Sequence, residues 1–184
     1  MSSPESLRPS KVQITAQAYH LRYAVDEDRI LLSVDISPDT ELAIPITRRM
    51  TRNLVTALAK LIAERSATHT PLMRDTVLDF EHSKSVADAV ASGNMRDETR
   101  KKPLTTSAKP VREVNIVPKA NGAIALVFDN SEQLLTLDVS GERIHIVIST
   151  FIRMAERAGW DFPPIASWLD ASKTVSDAAG RVVN

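Results

Sequence analysis

Cysteine is absent from this 184-residue chain. That removes disulfides, thiol nucleophiles and thiolate metal sites, and it fits a reducing, cytoplasmic setting. Glycine is scarce, with five residues at positions 93, 122, 141, 159 and 180. None of them builds a G-x-G-x-x-G turn or a P-loop, so neither standard phosphate cradle is present. Charge of one sign is missing too: 23 basic side chains balance 23 acidic ones, and the pI is near 6.9. A dedicated binder of nucleic acid or anionic membrane normally carries a basic excess. No apolar run approaches the roughly 18 residues that a membrane-spanning helix needs. The opening MSSPESLRPSK has no apolar core, so no secretory signal is expected.

What is present is a repeat. Ile30, Leu32 and Val34 alternate with polar neighbours, as do Ile124, Leu126 and Phe128. Leu42, Ile44 and Ile46 recur as Leu135, Leu137 and Val139, with one residue fewer in the second turn. Period-two alternation predicts strands. A helical stripe of Thr51, Leu54, Val55, Leu58 and Ile62 then recurs as Ile144, Val147, Ile148, Phe151 and Ala155. The second stripe lies in RIHIVIS, whose β-branched residues alone suit a strand. Its length, its flanking caps and its upstream counterpart decide for a helix. Thr47 and Ser140 are the expected N-caps, and Gly159 the expected stop.

Ahead of the first copy, Val12, Ile14, Ala16 and Ala18 alternate and then change phase to Tyr19, Leu21, Tyr23 and Val25. A bulge or bend near Ala18–Tyr19 is the simplest repair. Pro45 within the third strand suggests a sheet edge. Between the copies, Thr70-Pro71 reads as a helix start with Leu72, Met73, Val77 and Phe80 facing inward. A shorter helical piece follows from Val86 to Ala91, and 94–110 reads as a linker or long loop. The second copy opens at Val114 and Ile116, and Asn121-Gly122 marks a hairpin. The expected class is therefore α+β: antiparallel β-meander plus helix units, internally duplicated, with a helical and loop insertion between them. A single domain over 11–171 would comprise halves 11–66 and 111–159 joined by 67–110. Residues 1–10 and 172–184 read as flexible tails.

Candidate chemistry is thin, and no catalytic, cofactor-binding or metal-binding residue is assigned. Asp75, Asp79, Glu81 and His82 are types that hold metals or move protons, but their spacing matches no ligand motif. A solvated helix surface is the favoured reading. His145 and Ser149 lie one turn apart without a nucleophile elbow and read as surface residues. His20 and His69 are isolated. Arg48, Arg49 and Arg52 open a helix against its dipole and invite an anionic neighbour, with Asp26-Glu27-Asp28 preferred over a phosphate backbone. Arg100, Lys101 and Lys102, with Lys109 and Arg112, form a basic loop without interleaved aromatics to stack bases. Trp160, Phe162, Ile165 and Trp168 are costly to expose, so they either pack over the sheet or dock on another subunit.

These features favour a non-catalytic interaction or assembly module, cytoplasmic and oligomeric, with a protein partner or a second copy. One alternative is a nucleic-acid-associated regulator using the basic helix start and loop. Another is an enzyme with a non-standard acid–histidine site.

Overall fold

The computed structural model describes residues 11–66, 70–92, 104–107 and 109–169. The expected tails 1–10 and 172–184, with His69, Arg100, Lys101 and Lys102, lie outside the described residues.

Each half of the repeat is a three-stranded meander followed by a helix. In the first, β2 (His20–Ala24), β3 (Arg29–Ser37) and β4 (Thr40–Ile46) lead into α1 (Arg48–Arg65). In the second, β6 (Glu113–Pro118), β7 (Ile124–Asp129) and β8 (Gln133–Val139) lead into α3 (Arg143–Arg157). The registers correspond. Leu32 faces Ile44 and Ile30 faces Ile46, just as Leu126 faces Leu137 and Ile124 faces Val139. All these side chains are buried in one apolar cluster that runs through both halves. Burying each large apolar side chain fully stabilises by about 1.5–3 kcal/mol. The duplicated α+β architecture expected from the alternation is therefore present.

The fourth strand of each sheet is where the two halves interlock. β1 (Val12–Ala16) leaves its own meander and pairs in parallel with β8. β5 (Leu104–Thr106), which precedes the second meander, pairs in parallel with β4 of the first. The sheets thus read β1-β8-β7-β6 and β2-β3-β4-β5. Each half lends the strand ahead of its own meander to the other half.

This exchange corrects three expectations. The phase change near Ala18–Tyr19 does not fall within one strand: a bend at Gln17 carries the chain from one sheet to the other. Residues 104–106 are not linker but a strand. Pro45 is not on a free edge: β5 spans Glu41–Ala43, and beyond it the Pro45 carbonyl accepts the Val111 N–H at 2.8 Å. The missing proline donor therefore faces away from β3, and no ladder bond to β3 is lost.

The helix boundaries follow local chemistry. Thr47 Oγ1 accepts the Met50 N–H at 3.3 Å, as expected of an N-cap. Ser140 is not the N-cap of α3: Glu142 holds that place without a side-chain cap bond, and the Ser140 backbone carbonyl takes the Arg143 N–H at 3.0 Å. Gly159, at φ +67°, ends α3. Its N–H donates to the Glu156 carbonyl, and the Trp160 N–H reaches back to Ala155, both at 2.9 Å, which is the Schellman arrangement. The two expected pieces between the halves are one helix, α2 (Pro71–Ala91), of 21 residues. It packs on α3 and on the short 3₁₀ turn Ser167–Leu169.

Candidate functional site

Helix α2 carries two faces, and the inner one is not the face its apolar residues suggest. Leu78 and Ala89 are buried, with Asp75, His82 and Ser85 partly covered beside them. Met73 and Phe80, expected to face inward, are instead 58% and 67% exposed. The inner face is set by what α3 and the tail offer. Asp75 accepts the Ser167 hydroxyl at 2.6 Å, and polar ring edges meet farther along. Hydrophobicity alone therefore selected the wrong stripe.

At the centre of the inner face three rings meet. The centroids of His82 and His145 lie 5.6 Å apart, His82 and Trp168 5.6 Å, and His145 and Trp168 5.8 Å. His145 and Ser149 are buried, at 6% and 8% exposure, which overturns their reading as surface residues. Burial, helped by the nearby His145 imidazole, pushes His82 down to about 4. Burial also lowers His145, partly opposed by the charge of Glu81. Nδ1 of each imidazole is buried without a hydrogen bond to a protein group. Both imidazoles pack against the Trp168 indole. A general base works best with a pKa near the working pH, which His82 does not have. Asp79 and Glu81 are exposed and do not join the rings. Among the described residues no three His, Asp or Glu side chains gather as metal ligands.

The aromatic tail folds back on its own chain. Trp160 and Trp168 are each 5% exposed. Trp160 Nε1–H and the Tyr23 hydroxyl both donate to Asp28 Oδ1 at 2.7 Å, and the Tyr23 and Trp160 rings meet edge to face at 6.1 Å. These two donors hold the Asp28 carboxyl below its ordinary range, with the Arg48 charge assisting. Arg48 also donates to the Asp161 carbonyl at 2.7 Å. The Arg48 charge thus acts on Asp28 of the acidic loop, while its hydrogen bond goes to the tail. Arg49 and Arg52 are exposed. Phe162 and Ile165 are half-buried and edge an open groove of about 310 Å³ between the tail and Ile152, Ala155 and Glu156 of α3.

The remaining feature is the outer face of α2. Met73 and Phe80 stand 58% and 67% exposed on one stripe, with Val77 half-buried between them; Val90, 57% exposed, lies to one side of that stripe. Isolated exposed apolar side chains are ordinary, but several along one helix face mark a contact surface. The sequence shows this stripe as Met73, Val77 and Phe80 at steps of four and three, a pattern that equally suits a core face.

Comparison with known proteins finds no matching family model, no matching curated protein and no matching solved structure.

Proposed function

We propose that this protein is a non-catalytic interaction module whose contact surface is the outer face of α2. The observation that carries this reading is the row of exposed Met73 and Phe80, with half-buried Val77 between them, on a helix already anchored by its opposite face. A helix held in place has lost its ordering entropy before a partner arrives, so less of the binding energy is consumed. The buried histidines and the internally satisfied Asp28–Trp160 contact support the same reading, since both are used within the fold. The groove edged by Phe162 and Ile165 is the second apolar surface and serves as the control.

Size-exclusion chromatography with light scattering, at low and high salt and with absorbance at 260 and 280 nm, tests the reading. The expected result is a particle heavier than one chain and free of nucleic acid. A single chain carrying nucleic acid that salt strips away would favour the alternative, anion contact through Arg49 and Arg52. If the chain runs alone and clean, wild type and Phe80→Glu are compared for capture of a partner from host extract. Equal capture by both, or none by either, contradicts the reading.

A further inference from the structure

The row on α2 has a spacing, a size gradient and a charge gradient that together name its occupant. Met73, Val77, Phe80, Lys84, Ala87 and Ala91 follow one another at steps of four, three, four, three and four. That is the a/d seam of a two-helix pairing. It lies on the side of the helix opposite Asp75, His82 and Ala89, which are seven residues apart and face α3 and the tail. From Met73 to Ala91 the seam is about 27 Å long.

We infer that this face pairs with the same face of a second copy of the chain, the two α2 helices running antiparallel. The inference rests on the reading of the protein as an interaction module. Large side chains fill the first half of the seam and small ones the second. Antiparallel alignment sets Met73 on the partner's Ala91, Val77 on the partner's Ala87, and Phe80 along the stem of the partner's Lys84. The ammonium of that lysine then comes near the ring. A parallel pair would crowd Phe80 on Phe80 and leave alanine facing alanine across a gap.

Charge points the same way. α2 has no acid in its first turn and no base in its last. Instead Arg74 stands near its start and Asp88 near its end, each against the helix's own dipole. In an antiparallel pair each lies beside the other's counterpart and at the favourable end of the partner's dipole. Within the single chain Arg74 lies 3.7 Å from Asp75 and Asp88 4.0 Å from Lys84, contacts between side chains open to solvent that are cheap to rearrange. One like-charge contact, Glu81 against its own copy near the axis, works against the pair. It is solvent-facing and screened.

Because the chain contains no cysteine, introduced thiols report orientation without background. Met73→Cys and Ala91→Cys proteins are oxidised mildly, separately and mixed, with Ala87→Cys alone as the parallel control. The expected result is a covalent dimer in the mixture, and neither M73C nor A91C linking to itself. Self-linking of A87C, or no link in the mixture, overturns the antiparallel pair. Sedimentation of the uncrosslinked variants separates this failure from failure of the module itself. A dimer that survives Phe80→Glu but dissolves with Phe162→Glu overturns pairing through α2 and leaves the module reading standing, with its surface moved to the groove.

Discussion

His82 and His145 are 63 residues apart in the chain, and their rings meet because α2 lies across α3. The contact has a consequence for acid stability. His82 is held at about 4 in the fold against an ordinary value of 6.5. Between those values the unfolded chain binds a proton that the folded chain refuses, so unfolding free energy falls as pH drops through that window. His145 is lowered as well and acts in the same direction. Asp28 and Asp129 also titrate below their ordinary value of 3.8, but the stability they add is lost only as pH falls through their folded values, beneath the histidine window. Discounting for the partial exposure of His82, the expected loss is about 1–2 kcal/mol. Urea midpoints at about pH 7 and about pH 5 measure it, and His82→Gln should flatten the dependence. An unchanged slope in the variant would assign the acid sensitivity elsewhere. None of this was legible from RIHIVIS, where a histidine among β-branched residues gives no sign that a distant helix will cover it.

Among the elements, helix boundaries follow chemistry the sequence displays, while helix faces depend on tertiary partners. Gly159 illustrates the first. A Cβ added there meets nothing within 4 Å, so the left-handed backbone is the only obstacle to a side chain. Gly159→Ala should therefore lower stability by about 1 kcal/mol, with α3 otherwise intact. Thermal melting measures the change. A neutral or stabilising result would show that the Schellman turn relaxes without cost. Helix α2 illustrates the second. Met73 and Phe80 point outward, while the inner face joins Leu78 and Ala89 with Asp75, His82 and Ser85, so a stripe chosen by hydrophobicity lands on the wrong side. The two core helices α1 and α3 were legible because their stripes are uniformly apolar and buried in the cluster both halves share, where they pack on each other and α3 also on β2.

For the whole molecule, the duplicated meander was legible because period and spacing survive where identities do not. Ile30 and Ile124, or Leu58 and Phe151, occupy equivalent buried places. The reciprocal exchange of β1 and β5 was not legible. These strands have 5 and 3 residues, and Thr105 and Thr106 are exposed, so pairing is set by backbone donors rather than by an apolar pattern. Exchange ties each half to the other, and both sheets share one buried cluster. On this frame α2 is the connecting element, fixed on its inner side and presenting Met73, Phe80 and Val90 outward.

Sedimentation of wild type and Phe80→Glu over a range of concentrations tests that surface most directly. Phe80 is 67% exposed, so the substitution should leave the circular dichroism and the melting curve unchanged. The wild-type chain should shift from one chain to two as concentration rises, while the variant remains a single chain throughout. Identical sedimentation of the two proteins at every concentration would contradict self-association through α2.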